Sequence, residues 1–537
     1  MNEYDSNRLS DLVKKVGYER TKDLENIDCY ILNTCHIREK ATEKVYHDIG
    51  RLKKIYKNKK KPAVFITGCV AQAENDEMLN REPYIDAVVG PQSYQNIPQI
   101  LERLNERKDK LNFTNFDVIK KFDTLNEIKN TNTKISSFVT IQEGCNKFCN
   151  FCVVPYTRGP EYSRSPSEII REVKDLISNG VVEITLLGQN VNAYSRKENG
   201  SNFKLSDLIL ELENINELKR IRYTTSHPKD MTSDLIKCHR VSKKLVPFIH
   251  LPIQSGSNKI LKSMNRKHSR EEYLNTIKNL VNIKPGIKFS SDFIVGYPGE
   301  TQKDFEETLS LINKVKFINS FSFIYNERPG TPATKLYPLK KDIQHDRLII
   351  LQNLLSNIQS QYNQDQVGKI RKVLIENKMK KQEKYFGRLD SFTSVVTENI
   401  NDRDIGKIIN VRIKDCNKNT LFAVVRMNGI LDKEKAHQKR KELENWIIDY
   451  DPSLKDNKDK LGKLMEWCLA LPCRHYIIYR PLGDVDLYSF SSLGTDRTII
   501  EINTNPDHMC PWTTLGKLSS KINVDIFNLC IKLLQSP

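Results

Sequence analysis

Three cysteines within eight residues are the feature that most restricts the fold of this chain. Cys145, Cys149 and Cys152 follow the pattern Cys-x3-Cys-x2-Cys. They come directly after the apolar run 135–141, which predicts a β-strand. Three thiolates on one tight loop can bind three irons of a [4Fe–4S] cube and leave the fourth iron open to a small molecule. The pattern therefore predicts an active site at the carboxyl end of a strand.

A structural zinc site is the alternative interpretation of the three cysteines. Structural zinc is normally held by four protein ligands. The next cysteine in the sequence is Cys238, and the nearest histidine is His227. Because neither lies near the loop in sequence, the iron–sulfur interpretation is favoured.

Alternating strand and helix patterns follow the cysteine loop. A helix is predicted where Ile169, Ile170, Val173, Leu176 and Ile177 share one apolar face. Six strand–helix units imply a parallel sheet, which the right-handed crossover rule wraps into a partial (β/α)6 barrel. The six predicted strands are 135–141, 183–187, 220–225, 246–251, 289–295 and 321–325.

The rest of the chain divides by composition into further regions. Strand-like runs at 28–33, 63–67 and 85–89 alternate with helical patterns, which predicts a small α/β layer. Short β-branched runs after residue 369 predict a small all-β barrel. The chain is thus expected to be an α/β multidomain protein. Its predicted parts are 1–106, a polar linker at 107–130, 131–366, 367–430 and a carboxyl-terminal extension of unknown fold at 431–537.

The chain carries a formal net charge of +18. Such a balance suits a polyanionic partner, because Lys and Arg release counterions from phosphates. Compositional bias toward Lys and Asn explains the charge equally well, so both interpretations stay open at this point. No apolar run long enough to span a membrane and no signal-peptide layout is present, so a cytoplasmic protein is expected.

Eight segments beyond the cysteine loop carry distinctive motifs: Asn33–Ala41, Gly68–Gln72, Gly90–Gln92, Val153–Gly159, Leu187–Asn192, His250–Ser257, Asp292–Thr301 and Arg328–Ala333. Together with the cysteine loop, these motifs resemble the radical S-adenosylmethionine (SAM) methylthiotransferase family. The resemblance covers residues 1 to about 430, and the stretch Cys35–Ala41 is similar to the branch that acts on isopentenylated adenosine beside the tRNA anticodon. The small β-barrel is similar to the TRAM domain, an RNA-binding module.

The resemblance assigns roles to particular residues. It implies that Cys145, Cys149 and Cys152 bind the radical-generating cluster, and that Cys35 and Cys69 belong to a second one. The residues it implies for the SAM pocket are Phe151, Gly188, His250, Gln254 and Gly296. For the two glycines a turn-forming role is the alternative, and for His250 and Gln254 a buried, hydrogen-bonded structural role.

The resemblance also implies an activity. It is the methylthiolation of C2 of N6-isopentenyladenosine at position 37 of tRNA, with two [4Fe–4S] clusters and SAM as cofactors. The chain is expected to be a monomer. The implied partners are tRNA, an electron donor such as a flavodoxin, and sulfur-supplying iron–sulfur assembly proteins. Two alternatives are a protein-directed methylthiotransferase of the same architecture and a truncated, catalytically impaired RNA-binding homologue.

The chain departs from the family pattern at its amino terminus. The family places a third cysteine in a Gly-Cys-Gln just before a Met-Asn-x-x-Asp-Ser stretch, and this chain begins within that stretch, at Met1. That cysteine and its strand are therefore missing, and a late start or a truncation is expected. Cys29 lies six residues before Cys35 in one predicted strand, about 20 Å away, so it is expected in the core. Four further cysteines match no metal pattern and are expected to be ordinary thiols: Cys468, Cys473, Cys510 and Cys530.

Overall fold

A computed structural model describes most of the chain. The described residues are 1–35, 41–106, 110–131, 134–198, 200–380, 382–425, 475–480, 487–488 and 498–503. They belong to two compact units, Met1–Val425 and Arg426–Pro537.

The amino-terminal region forms a four-stranded parallel sheet between layers of helices. Its strands lie in the order β1 Cys29–Thr34, β2 Ala63–Gly68, β3 Ala87–Val89 and β4 Leu111–Phe113. Its helices are α1 Asn2–Lys14, α2 Ala41–Ile55, α3 Cys69–Arg81, α4 Ile97–Glu106 and α5 Val118–Asn126. Successive strand residues face opposite sides, so Phe65 and Ile66 of β2 enter two different apolar clusters. Both faces of the sheet are thus covered, as the predicted α/β layer requires.

The prediction of a linker at 107–130 is wrong for much of that range. Residues 111–113 form β4 and pair with β3, and α5 follows with Asp117 accepting the Lys120 N–H at 3.1 Å. Phe122 and Leu125 are buried in the amino-terminal core. These elements are short and carry few apolar residues, so hydrophobic periodicity is too weak to reveal them.

The next region forms the predicted partial barrel. Its main strands are β5 Ser136–Thr140, β8 Glu183–Leu187, β11 Arg220–Thr224, β12 Phe248–His250, β13 Lys288–Ser290, β14 Asp292–Val295 and β15 Phe321–Ile324. All the pairs among them run parallel. The strand predicted at 289–295 is divided into β13 and β14. Four short strands decorate the barrel: β6 Gln142–Glu143, β7 Tyr162–Ser163, β9 Ser195–Glu198 and β10 Ser201–Lys204.

Helices connect the barrel strands and cover its outside. They are α6 Val154–Arg158, α7 Pro166–Ser178, α8 Leu205–Glu213, α9 Ser233–Val241, α10 Asn258–Ser263, α11 Arg270–Ile283, α12 Gln302–Val315 and α13 Lys341–Gln364. Thr301 caps α12 in a reciprocal capping box with Asp304. Ile169, Val173 and Leu176 of α7 are fully buried in the barrel core, which confirms the apolar face predicted there.

Residues 370–425 form a closed five-stranded barrel. The strands are β16 Ile370–Lys378, β17 Tyr385–Arg388, β18 Ser394–Glu398, β19 Ile408–Cys416 and β20 Thr420–Val425, in the order β16–β17–β18–β20–β19. The predicted all-β barrel is therefore confirmed. It is docked on β11, because Arg220 donates to the Arg388 carbonyl at 2.9 Å and Arg222 donates to the Asp390 carbonyl at 2.7 Å.

The second unit is described only in part. Strands β21 His475–Arg480, β22 Leu487–Tyr488 and β23 Thr498–Asn503 form a sheet with β23 in the centre. Cys468, Cys473, Cys510 and Cys530 lie outside the described residues. Among the helices that are described, none combines the length and apolar character that crossing a membrane demands.

Candidate iron–sulfur active site

The cysteine loop, Cys145–Cys152, begins where β5 and β6 end. Gly144 precedes it with a φ of +75°, and a β-carbon there would collide with the Pro160 carbonyl oxygen. Glycine is therefore required at this close approach. The Gly144 N–H donates to Gln189 Oε1 at 2.6 Å, and the Cys145 N–H donates to the Gly159 carbonyl at 3.2 Å. The start of the loop is thus tied to the end of β8 and to the end of α6.

Asn150 fixes the second half of the loop. Its backbone N–H donates to the Met264 carbonyl at 3.0 Å, and its carbonyl accepts from the Ala333 N–H at 3.0 Å. Its side-chain Nδ2 donates to the Ser263 carbonyl at 2.7 Å. The Cys152 N–H closes a tight turn onto the Cys149 carbonyl at 2.9 Å. Hydrogen bonds to two other segments therefore hold this part of the loop.

The three thiols of the loop lie close enough to influence one another. Burial raises the pKa of Cys145 to about 11 and that of Cys152 to about 12, and the neighbouring Cys149 raises both. Within the described ranges, no three His, Cys, Asp or Glu side chains stand together as ligands of a single metal ion. A [4Fe–4S] cube makes a different demand, since each thiolate binds its own iron. Three neighbouring thiols on one fixed loop fit that demand.

Cys35 and Cys69, the second cysteine pair, follow the carboxyl ends of two adjacent strands. Thr34 at the end of β1 is the register partner of Gly68 at the end of β2, so the two cysteines are the next residues along. Cys29 lies at the opposite end of β1, where it packs against the amino-terminal core and burial raises its pKa to about 12. This placement agrees with the prediction that Cys29 is a core residue.

Met1 lies close to this pair and to the barrel. Its amino group interacts electrostatically with Cys35, and its thioether sulfur accepts from Gln189 Nε2. Gln189 also holds Gly144 at the start of the cysteine loop. Cys35, Met1 and the barrel mouth are therefore neighbours.

Arg158 connects the barrel to the second cysteine pair. Its side chain is buried, and Nε lies 3.4 Å from Cys69 Sγ. Nη2 donates to Asp5 at 2.8 Å, and Nη1 lies 3.4 Å from Glu143, which Lys121 also contacts at 2.5 Å. Burial by itself would raise the pKa of Asp5, but Arg158 and Lys121 hold it below its ordinary value. The network therefore keeps its charges paired at the domain boundary.

Comparison with known proteins shows which family the chain belongs to. The pattern of the Radical SAM superfamily matches residues 139–312, that of the uncharacterized protein family UPF0004 matches 1–90, and that of the TRAM domain matches 364–425. A tRNA-2-methylthio-N(6)-dimethylallyladenosine synthase of Pelagibacter ubique (strain HTCC1062) is 57% identical over 422 residues, which cover 79% of this chain and 94% of that protein. This chain belongs to the tRNA-2-methylthio-N(6)-dimethylallyladenosine synthase family. Membership implies SAM and an iron–sulfur cluster as cofactors.

Other members of the synthase family show the same coverage. The protein of Wolbachia pipientis subsp. Culex pipiens (strain wPip) is 49% identical, over 79% of this chain and 96% of its own length. The protein of Rickettsia canadensis (strain McKiel) is 49% identical, over 78% and 96%. Among solved structures, the radical SAM methyltransferase TsrM of Kitasatospora setae aligns with a TM-score of 0.45 at 12% identity, over 62% of this chain and 70% of TsrM.

Two of the residues expected in the SAM pocket of this synthase homologue are glycines at strand ends. Gly188 follows β8, and a β-carbon there would press on the side chain of Gln142, which donates to the Gly144 carbonyl at 2.8 Å. Gly296 follows β14 with a φ of +68°. Its N–H donates to Glu300 at 2.8 Å, and its carbonyl accepts from Gln344 at 3.0 Å. Both glycines thus have a local structural reason, and their contact with SAM stays a prediction.

Of the other three pocket candidates, Phe151 lies within the cysteine loop, His250 ends β12 and Gln254 follows that strand. Phe151 packs against a buried cluster that includes Tyr297 and Met264. Gln254 has a φ of +77°, an uncommon conformation for a residue with a side chain. His250 is held at both ring nitrogens, with Nδ1 2.9 Å from Ser290 Oγ and Nε2 3.5 Å from Asp292. These contacts support the structural interpretation of His250, and its contact with SAM stays a prediction as well.

Three residues near the cysteines escaped the sequence analysis as site residues. Arg266 lies with Nη1 3.5 Å from Cys149 Sγ, and Arg158 and Asn150 have the contacts described above. Asn150 and Arg158 stand inside motifs that the sequence singled out, so a charged or amide side chain there was an available signal. Arg266 comes more than a hundred residues after Cys149 in the chain. Only the fold brings these two residues together.

Proposed function

We propose that this chain methylthiolates C2 of N6-isopentenyladenosine at position 37 of tRNA. The observation that carries the proposal is 57% identity across 94% of a curated synthase, together with the fixed cysteine loop at the mouth of the barrel. Cys145, Cys149 and Cys152 would hold the radical cluster. Such a cluster, when bound, supplies the electron for reductive cleavage of SAM.

The residues of the chain orient and enclose the chemistry. Gly144, Gln189 and Asn150 fix the loop, and Phe151 lies against a buried cluster that includes Tyr297. Phe151, Gly188, His250, Gln254 and Gly296 are proposed to line the SAM pocket. A site enclosed in this way keeps water from the reacting carbon.

The second cluster is proposed at Cys35 and Cys69. Two thiolates leave two irons of a cube without protein ligands, so the described residues alone do not fit a four-iron cluster held by three cysteines. We therefore assign no step of the reaction to this second site.

The proposed partner is tRNA, and the barrel at 370–425 is the proposed RNA-binding module. A flavodoxin-like electron donor and iron–sulfur assembly proteins are the further partners that the proposed chemistry needs.

The test uses full-length protein that carries an added amino-terminal segment ending in Gly-Cys-Gln, the third cysteine motif of the family, and that is reconstituted anaerobically with iron and sulfide. It is incubated with SAM, a reductant and tRNA that carries N6-isopentenyladenosine, and the nucleosides are analysed by mass spectrometry. The proposal expects 2-methylthio-N6-isopentenyladenosine. Methylthiolation of a ribosomal protein in its place would contradict it.

A further inference from the structure

Arg266 is a buried cation beside the cysteine loop. It lies between α10 and α11, and its exposed fraction is 5%. Nη1 approaches Cys149 Sγ at 3.5 Å, and Nη2 donates to the Pro252 carbonyl at 2.6 Å. Its Nε is buried and makes no hydrogen bond within the described part of the chain. The guanidinium is thus aimed at one sulfur of the loop and anchored from the other side.

Arg266 differs from other buried arginines of the described residues in lacking a neighbouring carboxylate. Arg158, Arg164 and Arg347 each have a carboxylate oxygen within 2.8 Å. In the described ranges, no carboxylate lies within ion-pair distance of Arg266. The nearby rings of His227 and His268 are neutral or cationic in their ordinary protonation states, so they supply no negative charge. Burial, followed by Arg266 itself, lowers the pKa of both and so favours their neutral form.

A buried cation without an anion is costly. The Cys149 thiol, 3.5 Å from Nη1, can become anionic, and it is a thiolate whenever it binds iron. Loading of the loop would therefore supply the charge that Arg266 lacks. This complementarity is a physical reason for a guanidinium at this position.

We propose that Arg266 is a positioning residue that sets the reduction potential of the radical cluster through its N–H···S contact with Cys149. The inference rests on the cluster assigned to Cys145, Cys149 and Cys152 under the proposed function. Hydrogen bonds and positive charge at the cluster sulfurs stabilise the more negative, reduced state. Arg266 thereby makes the cluster easier to reduce.

The experiment measures the potential directly and needs no tRNA. Full-length protein carrying C35A and C69A, so that bound iron reports on the loop alone, is reconstituted and titrated without SAM. Reduced cluster is followed by electron paramagnetic resonance. R266Q should lower the ratio of reduced to oxidised cluster at a given potential about tenfold, which is about 59 mV for a one-electron couple. R266K keeps the charge but loses the planar fork, so a smaller shift of about threefold is expected.

R222Q is the matched control. Arg222 is also buried, but it contacts Glu183 and the carbonyls of the small barrel, so its loss should leave the potential unchanged. The proposal would be overturned if, at a given potential, the ratio of reduced to oxidised cluster in R266Q stayed within twofold of the parent's. A shift that occurs only with SAM present would overturn it too. If R266Q loses its iron, R266K decides, and an unchanged potential there overturns the proposal. A parent protein without any cluster would instead contradict the proposed function.

Discussion

The cysteine loop and the second cysteine pair, the two proposed cluster sites, gather their thiols in different ways. The loop gathers Cys145, Cys149 and Cys152 on one turn that Asn150 fixes. The pair gathers Cys35 and Cys69 from two strand ends, far apart in sequence. A local set of ligands survives as a unit wherever the loop folds. A dispersed set depends on the sheet register and on chain upstream of Cys35.

The buried arginines extend this contrast. Arg158 at the pair is neutralised by Asp5 and Glu143, so it is already balanced before any metal binds. Arg266 at the loop has no acidic partner within the described residues and faces a thiol. Arg158 therefore stabilises the fold through its acidic partners, whereas Arg266 gains an anionic partner only when Cys149 binds iron as a thiolate.

The largest expected effect separates the two sites. Replacing Cys145, Cys149 and Cys152 together by alanine should abolish SAM cleavage to 5′-deoxyadenosine, because no other group of cysteines supplies three thiolates on one loop. In protein extended by the Gly-Cys-Gln segment, C35A with C69A should leave that cleavage intact while removing methylthiolated product. Both reactions are followed by chromatography of the small products and by nucleoside mass spectrometry. Reductive cleavage by the triple variant would show that the radical cluster lies elsewhere.

The next prediction concerns the number of thiolate ligands at the pair. Protein that begins at Met1 should bind the loop cluster and form 5′-deoxyadenosine but little 2-methylthio product, because two thiolates hold a cube poorly. Adding a segment of roughly 15 residues ending in Gly-Cys-Gln, about one strand with its flanks, should restore iron, sulfide and product. The same segment with Gly-Ala-Gln is the control. Full product from the chain that begins at Met1 would require a third ligand elsewhere.

The sequence anticipated the local features and failed on the dispersed ones. The cysteine loop, the barrel strands and the all-β barrel follow from short-range patterns, and the structure has them. β4 and α5 were mistaken for a linker, because only pairing with β3 and burial of Phe122 reveal them. The Arg266–Cys149 contact joins distant segments, so no spacing rule detects it. Sequence patterns therefore do not predict contacts between side chains that are distant in sequence and that only the folded topology brings together.

A smaller effect tests the contrast between the arginines. R158M should lower the free energy of unfolding by about 3 kcal/mol, because it leaves Asp5 and Glu143 buried with Lys121 as their remaining cation. R266M should change the stability of the metal-free protein little or increase it, because it removes a buried charge without an acidic partner. Urea unfolding is followed by circular dichroism, since all three tryptophans lie beyond residue 430. Equal losses for the two variants would remove the distinction drawn between them.

The smallest effect concerns the small barrel, where alternate residues of β19 point out. Val411 and Ile413 are buried, whereas Arg412 and Lys414 are exposed, as is Lys372 on the neighbouring strand β16. Reversing these three charges, as K372E, R412E and K414E, should weaken tRNA binding about tenfold, roughly 1.4 kcal/mol. The slope of log affinity against log salt concentration should also become less negative by roughly two to three.

The matched control places the same charge change on the outer helices of the large barrel. Lys278, Lys303 and Lys314 are exposed on α11 and α12, so K278E, K303E and K314E should lower affinity far less at equal net charge. Fluorescence anisotropy with labelled tRNA at several salt concentrations measures both variants. If the two sets weaken binding equally, net charge alone explains the attraction. A larger loss in the control would move the RNA-binding surface from the small barrel to the outside of the large one, because a specific phosphate contact must depend on where the charge lies.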